Sequence, residues 1–466
     1  MQSIYTILPP SLQNLLCTYY GYRSKRIRFS KNFYKYLEQL HESQYWSETQ
    51  IVEYQNEKIR DLMNYVYTYV PYYTELFKKL KLHPTYFKTV DDLQKLPVMS
   101  KETVRDNQDR LLSTEFRKMS LQKSTTGGTT GSKLEIYRPY SAVSYQWAVW
   151  WRHRNRYGIH PGDKHANFTT KNVAPTTQKK PPFWRWSYLQ NQLLIGMNQI
   201  TTAKTPAIIE YIDKQKVKYF NGPPSILYSL SAIGLEQGIE LQNKPEFVFY
   251  GAENMQEYQR RVIEKFTGAP ISDQYGAAEG VANISRCEHF KYHEDFEFGV
   301  IEYVNPFTDH DGRTSHELIC TGLSNRAFPL IRYKIGDRAV VMDKNEPPCP
   351  CGRESRRIDS IIGRVEDYIT TPEGHKIMAL PVIYSKLSTI KEVQALQYDP
   401  GELLLKMVVR DNYSVRDEEF LKRQFKELIS PTLKLKIEYV SEIEREKNGK
   451  FRVIKSYIPK NENKTI

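Results

Sequence analysis

The chain lacks most of the features that would sort it quickly into a class. Its 466 residues hold five cysteines (Cys17, Cys287, Cys320, Cys349 and Cys351), few and odd in number, which argues against a disulfide framework. No apolar run approaches the ~18–20 residues that a membrane-spanning helix needs. The first ten residues, Met-Gln-Ser-Ile-Tyr-Thr-Ile-Leu-Pro-Pro, have no basic leader region and are broken by proline, so they make a poor signal peptide. A cytoplasmic location is the default expectation. Internal repeats and low-complexity tracts are missing. So is Gly-x-x-x-x-Gly-Lys-Ser/Thr, which removes an ordinary Walker-type NTPase. No Ser–His or Cys–His arrangement demands a nucleophilic side chain.

What is present is a chain too long for one ordinary core, which points to two or three domains. Hydrophobic residues make up 40% and charged residues 26%, a globular composition. The formal charge of +13 invites anionic partners, and 34 tyrosines could stack on bases. The basic residues nevertheless form no long block and no recognisable nucleic-acid module, so a solvated basic surface is the simpler reading and no nucleic-acid partner is expected.

Apolar spacing divides the chain into regions. Residues 1–120 read as mainly helical, with a long helix over 48–77, a segment starting at Val90 and another capped by Ser100. From about 120 to 340 short β-like runs (around Val248, Leu318 and Ala339) alternate with helices such as 255–267, which signals α/β layers. The character changes near Gly363-Arg364. Beyond it come strand-like Glu402–Val409, an amphipathic helix over Val415–Leu428 and a strand over 435–440, the size of a small α+β domain. The expected division is a large multi-layered α/β domain over residues 1–362 and a small C-terminal domain over 363–466.

Five motifs carry chemistry. Residues 124–133 read Ser-Thr-Thr-Gly-Gly-Thr-Thr-Gly-Ser-Lys. Glycines that turn backbone N–H groups toward one point, with hydroxyls beside them, can wrap a polyphosphate; the same composition also suits a flexible linker. Asp273-Gln274-Tyr275-Gly276-Ala277-Ala278-Glu279-Gly280 sets an aromatic ring beside glycine, able to stack on a purine, with a carboxylate able to hold Mg²⁺. In Arg332-Tyr333-Lys334-Ile335-Gly336-Asp337-Arg338 a carboxylate follows a tight glycine, suited to gripping ribose hydroxyls. Gly363-Arg364-Val365-Glu366-Asp367 stands at the composition break. Arg445-Glu446-Lys447-Asn448-Gly449-Lys450 is a polar turn presenting a lysine. Separately, Cys287 and His293 with Cys349-Pro350-Cys351 offer three thiolates and one imidazole, a donor set for structural Zn²⁺, with His289 competing for the imidazole position.

In this order, and together with Phe220-Asn221-Gly222-Pro223-Pro224-Ser225 and Gly251-Ala252-Glu253, the motifs resemble the adenylate-forming superfamily over roughly residues 85–456. The closer likeness is to its phenylacetate-CoA ligase branch and the CapK-type proteins of capsular polysaccharide biosynthesis. The resemblance implies an enzyme that uses ATP and Mg²⁺ to activate a carboxylate as an acyl-adenylate. The acyl group would pass to coenzyme A or to another thiol, amine or hydroxyl acceptor; nucleotidyl transfer to a small molecule is the related alternative. It implies that Thr126, Gly127, Gly128, Thr129, Thr130, Gly131 and Lys133 hold the outer phosphates. Gly251, Ala252, Glu253, Tyr275 and Gly276 would surround adenine, Glu279 would help bind Mg²⁺ and Asp337 would take the ribose. Arg364 would sit at the hinge near ribose or phosphate, and Lys450 would contact the carboxylate and the α-phosphate. Cysteines in these segments occur as metal ligands in that branch, and a closed four-ligand site braces a loop. The acid pocket is expected from residues 147–154, 182–186 and 221–225, with a polar or anionic acid. A binder of nucleic acid or of a membrane surface is the competing class for so basic a chain.

Overall fold

The computed structural model describes residues 2–126, 134–308, 312–364, 369–372, 376–377, 387, 389–445 and 451–458. Its centre is a 12-stranded sheet of two characters. One half is parallel, in the spatial order Gln192–Gly196, His165–Thr169, Tyr219–Gly222, Phe247–Tyr250 and Ile271–Gly276, with Trp184–Ser187 antiparallel on its outer edge. The other half is antiparallel: Asn283–Arg286, Tyr292–Glu294, Arg357–Arg364, Tyr333–Val341, Thr314–Gly322 and Gly299–Thr308. The two halves meet at Ile271–Gly276, which is parallel to one neighbour and antiparallel to the other.

The parallel strands read as apolar runs because helices cover them. Helices Thr205–Gln215, Pro224–Glu236 and Glu257–Thr267 pack Ile208, Leu230 and Ile263 against Phe220, Val248 and Ile271. Helix Tyr140–Asn155 joins the N-terminal helix Phe33–Ser43 through Phe33, Leu37, Ala148 and Trp151. The antiparallel half packs on helices from residues 48–106.

The region to residue 120 is mainly helical, as the spacing predicts, but the helix expected over 48–77 is two. Helix Glu48–Tyr69 opens with a capping box in which Ser47 and Gln50 satisfy each other's backbone N–H. Val70 then adopts an extended conformation (φ −116°, ψ 105°) and Pro71 starts helix Pro71–Leu80. The residue before a proline disfavours helical angles, and proline is pre-shaped for a helix's first turn. The Val90 segment is a 3₁₀ helix, Val90–Lys95.

Toward the C-terminus a four-stranded sheet, ordered Lys434–Tyr439, Glu402–Val409, Ile390–Asp399 and Ile454–Ser456, packs on helix Val415–Leu428 through Leu421 and Phe425. The short hairpin Ile369–Thr370/Lys376–Ile377 is tied to it by Gln397, whose side-chain amide bonds both the N–H and the C=O of Thr370 at 2.7 Å. Among the described residues, no helix is long and apolar enough to cross a membrane.

Candidate active site

Sheet register brings the motif residues together. Gly222 pairs with Tyr250, and Tyr250 pairs with Asp273. Pro223–Ser225, Gly251–Glu253 and Gln274–Gly276 therefore leave the sheet side by side, at the carboxyl ends of parallel strands where open α/β sheets bind ligands. Glu253 accepts from the backbone N–H and the hydroxyl of Ser225, both at 3.1 Å, in the first turn of helix Pro224–Glu236. A carboxylate is stabilised at that end of a helix. Ala252 between the strand and Glu253 has φ 70°, a left-handed conformation uncommon outside glycine. Asn254, which the motif reading missed, donates to the Ile362 carbonyl at 3.3 Å and draws this loop to the end of strand Arg357–Arg364.

The antiparallel half contributes the second wall. Tyr275 donates to Asp337 Oδ2 at 2.5 Å. Burial first, then the Asp337 carboxylate, push the Tyr275 phenol well above its usual range, so it remains a donor. Tyr333 donates to Glu279 Oε1 at 3.3 Å. Asp337 lies opposite Arg364 in the ladder. Gly276 is fixed by crowding: a Cβ there would lie 2.9 Å from Asn283 Oδ1. That amide oxygen accepts from Trp150 Nε1 at 3.1 Å, while Asn283 Nδ2 donates to Asp295.

A third wall is the hairpin Gln122–Thr126/Leu134–Arg138, in which Thr126 pairs with Leu134. Arg138, also missed, donates to Ser124 Oγ and Gln146 Oε1, each at 2.7 Å. Burial lowers the Arg138 guanidinium from its usual value, and the Glu279 carboxylate opposes that shift. Gly127, Gly128, Thr129, Thr130, Gly131 and Lys133 lie outside the described residues, as do Lys450 and the side chains of Thr126 and Arg364. Phe451, bonded to Lys450 in the chain, donates its backbone N–H to Glu253 Oε1 at 3.4 Å. Arg410, directly after strand Glu402–Val409, also reaches Glu236 and Tyr228 on helix Pro224–Glu236.

Of the expected acid-pocket segments, Arg154 meets Asn221 at 3.0 Å, and Asn221 meets Asn167 at 2.8 Å. Residues 182–186 do not join them. Trp184–Ser187 is the outermost strand, where Arg185 is held by Gln13 and Gln178.

The cysteine cluster assembles. The ligand atoms of Cys287, His293, Cys349 and Cys351 all lie within 4.8 Å of one another, and all four residues are buried. Cys287 Sγ is 3.7 Å from Cys349 Sγ, and Cys351 Sγ is 3.4 Å from His293 Nε2. Tetrahedral Zn²⁺ with Zn–S of about 2.3 Å and Zn–N of about 2.0 Å sets these edges at roughly 3.8 and 3.5 Å, so the donor set fits the metal. His289 is exposed and outside the cluster. Strand pairing explains the choice: Tyr292–Glu294 lies beside Arg357–Arg364, whose approach carries Cys349 and Cys351. Tyr157 ties the cluster to the first wall, donating to the Cys287 carbonyl at 2.6 Å and accepting from Ser272 at 2.8 Å.

Comparison with known proteins gives a consistent result. A family model described as the CapK C-terminal domain matches residues 369–457. Protein CapK of Staphylococcus aureus is 26% identical over 453 residues, spanning 96% of this chain and 98% of its own. Phenylacetate-coenzyme A ligase of Thermus thermophilus is 23% identical over 337 residues, 68% of this chain and 70% of its own. Among solved structures, 2-hydroxyisobutyryl-CoA ligase in the postadenylation state with an acyl-AMP aligns with a TM-score of 0.69 at 16% identity, covering 89% of this chain and 91% of that one.

Proposed function

We propose that this chain, a member of the adenylate-forming superfamily on its CapK-like, phenylacetate-CoA ligase side, activates a carboxylic acid with ATP and passes the acyl group to coenzyme A or another acceptor. The observation that carries the reading is the Phe451 N–H on Glu253, since it ties the C-terminal segment next to Lys450 to the strand-end loops. It is supported by the convergence of Tyr275, Asp337, Glu279 and Arg138 on the same edge.

The acid's carboxylate oxygen attacks the α-phosphorus, a bond forms between them, and pyrophosphate leaves with the electron pair of the broken anhydride bond. Negative charge grows at the phosphorus, so the protein's work is positioning and supply of donors. Tyr275 stacks on adenine while its hydroxyl orients Asp337 toward the ribose. Glu253 fixes the Gly251–Ala252 backbone beside the base. Residues 126–133 hold the outer phosphates, and Arg138 anchors the hairpin Gln122–Thr126/Leu134–Arg138 through Ser124 and Gln146. Lys450 bridges the carboxylate and the α-phosphate. Mg²⁺ would neutralise phosphate charge, with Glu279 as its protein ligand. Residues 1–362 form the substrate-binding unit and the hinge lies at Gly363–Asp367, whose first two residues are the end of strand Arg357–Arg364. The Arg154–Asn221–Asn167 row favours a polar acid. Cys287, His293, Cys349 and Cys351 hold a structural Zn²⁺. A role in capsule or cell-surface polysaccharide synthesis, in the cytoplasm, fits the CapK likeness.

The test is pyrophosphate release from ATP across aryl, fatty, amino and sugar acids, with and without coenzyme A. One acid should drive release, and Lys450→Ala should cut it by about 10²–10³-fold, the scale for one preorganised donor. Nucleotidyl transfer to an acid-free acceptor, or no release with any acid, would refute the reading.

A further inference from the structure

The helix Pro10–Arg28 is built the wrong way round for a helix that merely covers the protein. Its buried side is polar or small. Gln13 is 1% exposed and accepts from Arg185 while donating to the Tyr5 and Leu8 carbonyls. Thr18 and Asn14 take the backbone N–H groups of Tyr188 and Trp186. Gly21 is pressed so closely on strand Trp184–Ser187 that a Cβ would stand 2.2 Å from Ser187 Oγ. These contacts fix which face looks outward. That face carries Leu12, Leu15, Leu16, Tyr19 and Tyr22, at the three- and four-residue spacing of one stripe, with Leu15 59% and Tyr19 60% exposed. Exposed Tyr188 and Leu189 extend the stripe from the neighbouring turn.

The charge around the stripe is one-sided. Residues 1–37 contain six basic side chains and no Asp or Glu, so about half of the chain's +13 sits on its first 37 residues of 466. Arg28 is committed inward, over the Trp147 ring at 4.1 Å. Arg23, Lys25, Lys31 and Lys35 are exposed, as is Arg26, which leans on Tyr22, and none makes an ion pair among the described residues.

We propose that this face docks the protein on the surface of an anionic lipid bilayer, the helix lying in the interface plane. Leucines enter the acyl boundary, tyrosines sit at headgroup level and the basic side chains reach the lipid phosphates, the composition of an interfacial helix. A second copy of the chain is a poor occupant, because facing stripes would bring two sets of unpaired cations together. The inference does not depend on the catalytic reading, since no residue of this helix belongs to the proposed site.

The test is co-sedimentation of the full chain with vesicles of phosphatidylcholine alone or mixed with phosphatidylglycerol. The protein should pellet with the mixed vesicles and stay in solution with the neutral ones, and rising salt should release it. Arg23→Ala/Lys25→Ala/Arg26→Ala should weaken binding by about 100-fold, at roughly fivefold per charge. Leu15→Ser/Leu16→Ser should weaken it at least tenfold. Circular dichroism and thermal melting report whether each variant is folded. Wild-type protein left in solution with the mixed vesicles overturns the proposal. So does a concentration-dependent dimer abolished by the leucine substitutions, or retention on RNA in place of vesicles.

Discussion

Arg152 offers a quantitative test of what supports the site from behind. Its side chain is 1% exposed, like that of Asp295, and Glu297 is 2% exposed. Nη1 donates to Glu297 Oε1 at 2.6 Å and to the Leu40 carbonyl at 2.9 Å, and Nη2 donates to Asp295 Oδ1 at 2.7 Å. Burial alone would raise Asp295; Arg152 and Arg156 instead hold it below the usual carboxylate range. Arg152→Met keeps most of the volume and removes the charge. Asp295 then keeps Arg156, whose guanidinium is 3.7 Å away, and Glu297 keeps no ion pair among the described residues. Breaking a buried pair in this way costs about 3–5 kcal/mol. The assay is urea unfolding followed by tryptophan fluorescence, which reads Trp150 and Trp151 beside the network. Adding Asp295→Asn and Glu297→Gln to the same protein should recover at least half of the loss, because the uncompensated charge is gone. A single-variant loss below about 1 kcal/mol, or no recovery in the triple variant, would refute the electrostatic account.

Tyr275→Phe removes the hydroxyl that orients Asp337, and a hydrogen bond to a charged group is worth about 1.5–3 kcal/mol. KM for ATP should rise by roughly 10–100-fold with kcat little changed, and an unaltered KM would separate Asp337 from ribose binding. Purified protein should contain one zinc per chain by mass spectrometry. Chelation or Cys349→Ser should lower the thermal midpoint far more than it alters KM for ATP, and zinc-free, fully stable protein would end the metal assignment. His153 and His165 set an acid limit. Burial, then Arg156, Arg154, Arg286 and Arg152, lowers His153 well below its usual value, and burial brings His165 down to about 4. The unfolded chain binds a proton at each below about pH 6.5 while the folded chain does not. Stability is therefore full above that pH and falls on acidification, by about 1.4 kcal/mol per pH unit for each histidine. Urea midpoints between pH 7.5 and 5 measure this; His153→Gln should give a shallower slope, and equal slopes would show that His153 is not held neutral.

How far the site was legible depended on whether its parts lay close in sequence. Tyr275 to Glu279, Gly251 to Glu253 and Cys349 to Cys351 each occupy a few consecutive residues, and a short motif can state that much chemistry. The choice between His289 and His293 was not legible, since it turns on which of them sits in the strand beside the approach to Arg357–Arg364. Arg138 was missed for a similar reason. Its partners Ser124 and Gln146 are near in sequence, but its meaning comes from Glu279, far along the chain. Arg152 and Asp295 stand 143 positions apart, with no local pattern to announce the pair. The break at Pro71 was legible and was overridden by a periodicity that ran through it, because two consecutive helices can share one apolar stripe.

The strand Ile271–Gly276 explains why the remaining pieces had to be far apart. A parallel strand must be followed by a connection long enough to return over the sheet, so the strand-end loops at 223–225 and 251–253 come from separate crossover units. An antiparallel neighbour needs only a short turn, and Asn283–Arg286 follows at once. A strand with one neighbour of each kind therefore carries at its end a loop facing crossover loops on one side and the antiparallel half on the other. The strand uses both: Asp273 pairs with Tyr250 in the parallel set, and two residues on Tyr275 pairs with Ile284 in the antiparallel half, where its hydroxyl reaches Asp337. The Cys287–Tyr157–Ser272 chain then makes sense as a brace on this same strand, since it links the cysteine cluster to the third residue before Tyr275. A metal that never meets substrate would act on the site through that connection and through Arg286, next to Cys287, which pairs with Asp273 of the same strand at 2.6 Å. Its loss should therefore appear first as instability of the sheet junction and only second as a change in nucleotide binding.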